Sequence, residues 1–330
     1  MTSWRMTPLI ERYRERLPVS ETTPVVSLGE GSTPLIRAPR LSERHSVDLW
    51  LKLESANPTG SFKDRGMTVA VSKALEEGAR AVICASTGNT AASAAAYAAR
   101  AGLPAVVLQP VGAVALGKLA QARAVGARVL EVRGSFDSAL RAARELGRRG
   151  EYVLVNSVNP NRIEGQKTVA FEIEDELGGV PDAVLLPYGG GGNTTAVFRG
   201  FDELGSMPRV FPSQSATRTD TVASAIRIAD PAHAAEVDEA VGMSDGRVLT
   251  VSDEEILQAW SALAHDEGVF CEPSSAAGVA AVEHAELPRG AVVVCIVTGH
   301  GLKDPDTATA HAEPMTTVDA DPDAIEEAVR

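Results

Sequence analysis

Short apolar segments alternate with longer amphipathic segments along most of the chain. The apolar runs predict β-strands at Leu49–Leu53, Ala81–Ala85, Ala105–Leu108, Arg128–Val132, Tyr152–Val155, Ala183–Leu186 and Ala291–Val297. The intervening stretches predict helices at Asp64–Glu77, Thr90–Arg100, Leu116–Val125, Phe136–Arg149, Glu164–Leu177 and Thr194–Leu204. This alternation predicts an α/β fold in which mostly parallel sheets are covered by helices on both faces.

Length and composition narrow the class of protein. The chain has 330 residues, of which 44% are hydrophobic and 4% aromatic. It is therefore long enough to bury a full core, and its length favours two lobes or one large α/β domain. The formal net charge is −13 and there is no long basic run, so nucleic acid is not an expected partner.

The cysteines and the apolar runs indicate where in the cell the protein is located. Cys84, Cys271 and Cys295 have no paired spacing, which predicts buried free thiols in a reducing compartment. No stretch approaches the roughly 18 apolar residues of a membrane span, and the N-terminus has no apolar leader segment. We therefore expect a soluble cytoplasmic protein without a membrane partner.

Lys63 is the first candidate for chemistry. It lies in the run Gly60-Ser61-Phe62-Lys63-Asp64, where a loop meets a predicted helix. Desolvation at such a position lowers the pKa of an amine toward the neutral form that imine chemistry needs. An isolated lysine is more often a surface residue beside a helix cap, so the interpretation depends on the neighbouring motifs.

Two further motifs follow predicted strands and precede predicted helices. Ser86-Thr87-Gly88-Asn89-Thr90 combines hydroxyl groups with the unpaired N–H groups of a helix start, a good seat for a carboxylate, although a helix cap alone would use one or two of these residues. The run Gly189-Gly190-Gly191-Gly192-Asn193 lets backbone amides turn inward around a phosphate. A flexible linker is the alternative, but linkers do not usually join a buried strand to a helix.

Two polar sites complete the set. Thr298 follows the most apolar strand and could offer a hydroxyl to a ring nitrogen, although a simple strand-ending turn is the commoner explanation. Ser157 and Arg162 lie in a polar segment after another strand, where they could bind a phosphate or other dianion. The alternative there is a polar loop with an exposed arginine.

Together these motifs resemble the fold-type II pyridoxal-phosphate enzymes of the tryptophan synthase β-like family, and within that group most closely the threonine synthases. The resemblance covers nearly the whole chain up to about Thr307. It implies two lobes, with a large cofactor-binding domain at 1–55 and 148–330 and a small inserted domain at 56–147. It also implies a homodimer, the cofactor pyridoxal 5′-phosphate and no metal.

The resemblance further implies a role for each candidate residue. Lys63 would carry the cofactor as a Schiff base and then move protons at Cα and Cβ of the substrate. The remaining cofactor contacts would come from Asn89 at the ring oxygen, Thr298 at the pyridine nitrogen, and Gly189, Gly190, Gly191, Gly192 and Asn193 at the phosphate.

The implied substrate is O-phospho-L-homoserine, which would react with water to give L-threonine and phosphate. Its carboxylate and neighbouring groups would be bound by Ser86, Thr87 and Thr90, and its phosphate by Ser157 and Arg162. Gly190 departs from the family pattern, which has an asparagine there, and 211–222 is shorter than its family equivalent. Two alternatives therefore stay open: a related β- or γ-replacement or elimination enzyme, such as a serine or threonine dehydratase-like one, and a silent cofactor-binding protein.

Overall fold

Two β-sheets form the framework of the protein. The computed structural model describes residues 7–112, 116–312 and 315–330. The larger sheet has the strand order β1-β2-β10-β7-β8-β9, in which only the β1–β2 pair is antiparallel. Its strands are β1 (Leu35–Arg37), β2 (Asp48–Leu53), β7 (Ala183–Pro187), β8 (Arg209–Ser215), β9 (Leu249–Val251) and β10 (Val292–Val297).

The smaller sheet is wholly parallel and has the order β5-β4-β3-β6. Its strands are β3 (Ala81–Ala85), β4 (Ala105–Pro110), β5 (Arg128–Val132) and β6 (Tyr152–Leu154). The predicted domain boundary at 147/148 assigns β6 to the large domain, whereas β6 pairs with β3 in the smaller sheet. The division into domains otherwise stays a prediction.

Helices cover both sheets. They are α1 (Leu9–Arg12), α2 (Pro39–His45), α3 (Lys63–Glu76), α4 (Asn89–Ala101), α5 (Leu116–Ala124), α6 (Phe136–Arg148), α7 (Pro160–Leu177), α8 (Gly192–Leu204), α9 (Ala234–Met243), α10 (Asp253–Glu267), α11 (Pro273–Ala280), α12 (Pro305–Ala310) and α13 (Pro322–Val329). Among the described residues, no helix has the length and apolar character of a membrane span.

The core explains why the central strands are apolar throughout. In β7, Leu185 packs with α10 and α11 on one face, while Val184 and Leu186 pack with α7 and α8 on the other. In β3, Cys84 packs with α3 and α4, and Ile83 packs with α6. A strand buried on both faces has no polar side to expose, which confirms the predicted α/β arrangement.

Candidate active site

The candidate residues lie at the carboxyl edges of the two sheets. In the larger sheet, β10 is hydrogen-bonded to β2 on one side and to β7 on the other, so the three segments that follow these strands emerge together. They carry Lys63, Thr298 and the glycine run. In the smaller sheet, β3 and β6 are parallel neighbours whose following loops carry Ser86 and Ser157. This is the edge at which open α/β sheets bind ligands.

Lys63 is the first residue of α3, and the loop before it is attached to the loop after β10. The backbone N–H of Phe62 donates to the carbonyl of Thr298 at 3.1 Å, and that of His300 donates to Gly60 at 2.9 Å. Ser61 and Gly299 form an isolated antiparallel bridge between these two bonds. These contacts hold the backbone that precedes Lys63 against the loop after β10.

The environment of the Lys63 amine favours its neutral form. The nitrogen lies 4.0 Å from the centroid of the Phe62 ring. The pKa of Lys63 is lowered to about 7, first by burial and then by the cation of Arg162, against the opposing effect of the Glu272 anion. About half of the amine is therefore unprotonated near neutral pH, as nucleophilic and proton-transfer roles require.

Glu272 and Ser275 are site residues that the sequence analysis did not single out. Asn89 Nδ2 donates to Glu272 Oε1 at 2.8 Å, which links the start of α4 to the start of α11. A Cβ on Gly299 would lie 2.2 Å from the same oxygen, so the pair requires glycine at that position. No local sequence pattern marks Glu272 as an acid that lies near Lys63. Only the family resemblance could have drawn attention to it.

Thr298 is buried and its hydroxyl lies 2.9 Å from that of Ser275. Ser275 Oγ also accepts the backbone N–H of Gly299 at 2.8 Å. Because Ser275 projects from α11, it fixes the position of the threonine hydroxyl relative to the end of β10. This arrangement suits a neutral partner for a ring nitrogen.

The glycine run forms a turn between β7 and α8 whose conformation requires glycine. Gly191 has φ +88° and directly precedes the helix, where α8 begins at Gly192. In the first turn of α8, Asn193 Nδ2 and Thr194 Oγ1 are buried without a hydrogen-bond partner in the described structure. Buried donors of this kind at a helix start indicate a missing anionic ligand.

The loop after β3 leads directly into α4, which begins at Asn89. Ser86 Oγ accepts the backbone N–H of Gly88 at 3.2 Å. The side chain of Asn156, after β6, pairs with both backbone groups of Ala85 and so holds the two loops side by side. Thr87 and Thr90 are half-buried beside them, at the positive end of the helix dipole.

Arg162 is fully buried in the first turn of α7. Its Nη1 donates to the carbonyl of Val155 at 3.2 Å, while Nε and Nη2 have no partner among the residues described. Burial lowers the pKa of Arg162 to about 10, yet the side chain stays cationic at neutral pH. A buried cation with two unused donors is costly without an anion, so a ligand is expected there.

Pyridoxal phosphate fits these residues. It offers an aldehyde for the neutral amine of Lys63, a phosphate for the glycine turn with its unpaired Asn193 and Thr194 groups, and a ring nitrogen for Thr298. Ser157, Arg162 and the hydroxyl groups of Ser86, Thr87 and Thr90 lie outside this set and remain for a substrate. Each assigned role stays a prediction.

Comparison with known proteins gives a consistent result. The family model described as pyridoxal-phosphate dependent enzyme matches residues 26–299. A threonine synthase of Halalkalibacterium halodurans is 49% identical over 98% of this chain and 94% of its own length. One from Synechocystis sp. is 51% identical over 97% of this chain and 89% of its own. The solved maize serine racemase has a TM-score of 0.75 at 22% identity, covering 84% of this chain and 91% of the racemase, and thus shares the fold.

Proposed function

The chain belongs to the pyridoxal-phosphate dependent enzyme family and, within it, to the threonine synthases, and from this premise we propose that it converts O-phospho-L-homoserine and water to L-threonine and phosphate. It is a pyridoxal-phosphate-dependent lyase of fold type II. The choice of a phosphorylated substrate and the roles of individual residues are the proposal, and they are argued from the site.

One observation carries the choice of substrate. The guanidinium of Arg162 is buried and keeps two nitrogens without partners in the described structure. It faces Lys63 closely enough to lower the pKa of that amine. A phosphate is the anion that suits a forked, buried guanidinium, and Ser157 from the same loop supplies a hydroxyl.

Lys63 performs the proton transfers in this proposal. When bound, the cofactor withdraws electrons from the amino-acid carbon atoms and so makes their protons acidic. The Lys63 amine would bind the cofactor aldehyde covalently and, when free, would take protons from Cα and Cβ of the substrate and return them at Cγ and Cα. Its pKa of about 7 suits both directions of transfer at neutral pH.

The other residues bind and orient. The glycine turn and Asn193 hold the cofactor phosphate, and Thr298, fixed by Ser275, faces the ring nitrogen. Asn89, fixed by Glu272, bonds the ring oxygen. Ser86, Thr87 and Thr90 bind the substrate carboxylate at the start of α4. Binding the remote phosphate at Arg162 then positions the leaving group for departure from Cγ.

A second candidate is elimination from an unphosphorylated amino acid, as a serine or threonine dehydratase performs it. Gly190 favours it, because this position offers no side-chain donor to a substrate phosphate. Space is not the reason, since a Cβ on Gly190 would meet only Ile228 Cδ1, at the ordinary distance of 3.5 Å. Arg162 argues against this candidate, because its donors would then stay unpaired.

We also propose a cytoplasmic homodimer. The three buried free cysteines are consistent with a reducing compartment. The dimer rests on the resemblance alone, and sedimentation of the purified protein tests it.

Product identification tests the proposed function. The holoenzyme is incubated with O-phospho-L-homoserine, released phosphate is quantified, and the amino acid is identified by NMR. L-Serine and L-threonine are assayed in parallel for formation of a 2-oxo acid and ammonia. We expect threonine and phosphate in equal amounts, all activity to be lost in Lys63→Ala, and the control Lys73→Ala to stay active. Oxo-acid formation without threonine would instead establish the second candidate.

A further inference from the structure

His233 is a buried residue that touches both phosphate-facing loops. It directly precedes α9 and is 8% exposed. Its backbone N–H donates to the carbonyl of Gly190 at 3.1 Å. Its ring Nε2 lies 3.0 Å from the carbonyl oxygen of Ser157. One residue thus joins the glycine turn after β7 to the loop after β6, which belongs to the other sheet.

The glycine turn is shaped around this histidine. A Cβ on Gly191 would lie 3.0 Å from both the Cβ and the carbonyl oxygen of His233. Contacts of 3.0 Å are tight, and the same Cβ would lie 2.9 Å from Val237 Cγ2, so a side chain at position 191 would push against both residues in a backbone conformation that favours glycine. The run of glycines therefore serves the packing of His233 as well as the phosphate cradle.

Both nitrogens of the imidazole face acceptors. Nε2 faces the carbonyl of Ser157, and Nδ1 lies 3.2 Å from Glu236 Oε1. A neutral imidazole carries one N–H and satisfies one of these acceptors, whereas an imidazolium satisfies both. The pKa of Glu236 is lowered, first by its own backbone N–H and then by the hydrogen bond from His233, so the carboxylate is present at neutral pH. The ring is thus held between the carbonyl of Ser157 and the carboxylate of Glu236.

We propose that His233 is a positioning residue for the substrate phosphate: it holds the Ser157 loop against the glycine turn and gives the enzyme its preference for a phosphorylated substrate. The inference rests on the proposed function, since it assigns Ser157 and Arg162 to that phosphate. The hydrogen bond to the Ser157 carbonyl fixes the backbone of Ser157, and this limits where the Ser157 hydroxyl can lie. This positioning matters because Gly190 offers no side-chain donor to the phosphate.

Two variants separate hydrogen bonding from packing. His233→Phe keeps a planar ring of similar size but cannot donate, while His233→Gln keeps one amide donor toward Ser157. The matched control is His284→Phe, because His284 forms a comparable pair with Glu255, at 2.7 Å and on the surface. For each holoenzyme, inorganic phosphate is titrated by calorimetry, and retained cofactor and melting temperature are measured alongside.

We expect phosphate affinity to fall about tenfold in His233→Phe and to be largely restored in His233→Gln, with cofactor retention unchanged in both. His284→Phe should match the wild type. The inference is overturned if His233→Phe binds phosphate within twofold of the wild type, if cofactor and phosphate are lost in proportion, or if the wild type binds no phosphate. Phosphate titration does not depend on turnover, so a wild type that makes no threonine refutes the proposed function without deciding the role of His233.

Discussion

The side-chain amide of Asn89 donates a 2.8 Å hydrogen bond to Glu272, a carboxylate that is only 3% exposed. The bond connects α4, which packs on the smaller sheet, with the start of α11, which packs on the larger one. It places a negative charge beside the Lys63 amine, on which Arg162 exerts the opposite effect. The reactivity of Lys63 is thus set by burial and by two buried charges of opposite sign.

The first prediction concerns Glu272→Gln. Glutamine keeps an oxygen that accepts from Asn89 but removes the charge that raises the pKa of Lys63. The pKa should therefore move below its wild-type value of about 7. The pH dependence of pyridoxal phosphate capture by the apoenzyme, followed by absorbance, measures this directly. An unchanged or higher midpoint would refute the electrostatic role of Glu272.

The second prediction concerns Arg162→Met, which should shift the pKa of Lys63 in the opposite direction from Glu272→Gln. Removing the cation should raise the midpoint of cofactor capture, because Arg162 lowers the pKa of the amine. The KM for O-phospho-L-homoserine should rise about a hundredfold, as is typical when a buried partner of a charged group is removed.

Methionine fills similar space without an unpaired buried charge, so the melting temperature of Arg162→Met should not fall. A variant that melts well below the wild type would leave the kinetic effect attributable to misfolding. The assignment of Arg162 to the substrate is contradicted if Arg162→Met keeps the wild-type KM for O-phospho-L-homoserine.

The third prediction tests the close packing at Gly299. A Cβ there would lie 2.2 Å from Glu272 Oε1 and 3.3 Å from Asn89 Nδ2, so Gly299→Ala must displace the pair. We expect a loss of roughly 1–3 kcal/mol in the free energy of unfolding, together with weaker cofactor binding. Gly242→Ala is the control, since a Cβ on Gly242 meets no atom of the described residues within 4 Å. Denaturant unfolding of both variants decides it, and equal stability would argue against the contact.

The fourth prediction concerns a buried ion cluster two residues after Lys63. The Arg65 guanidinium donates to both oxygens of Glu54 at 2.7 Å and to those of Glu172 at 2.6 and 2.8 Å. Arg65→Ala leaves the buried carboxylate of Glu54 without its cation and that of Glu172 with Lys52 alone, and should cost about 3–5 kcal/mol of unfolding free energy. The exposed pair of Arg80 and Glu151 provides the comparison, where Arg80→Ala should cost less than about 1 kcal/mol. Similar losses in the two variants would contradict the prediction.

Strands and helices with strong patterns could be predicted from the sequence. Seven of the strands and six of the helices begin and end within a few residues of their predicted bounds, because buried parallel strands are apolar throughout and the helices between them are amphipathic. The helices α1, α2, α9, α10 and α11 were not predicted, nor were β1, β8 and β9. The strand β8 contains Pro212 and Ser213, and its place in the sheet is decided by pairing with β7 rather than by local pattern.

The candidate site shows the same limit. Lys63, the glycine run and Thr298 could be chosen as candidates because each follows a predicted strand in an unusual local sequence, and their roles stay predictions. Glu272 and His233 were not, because each acts through partners more than 70 residues away: Glu272 through Asn89, and His233 through Ser157. The sequence alone does not bring such partners together.

The fate of the oxygen atoms tests the central claim most directly. The proposed lyase breaks the bond between Cγ and oxygen, so phosphate leaves with all its own oxygens and water supplies the hydroxyl at Cβ of threonine. The reaction is run with the holoenzyme in ¹⁸O-labelled water, and both products are analysed by mass spectrometry. We predict labelled L-threonine and unlabelled phosphate; labelled phosphate together with unlabelled homoserine would show cleavage of the phosphorus–oxygen bond and contradict the account.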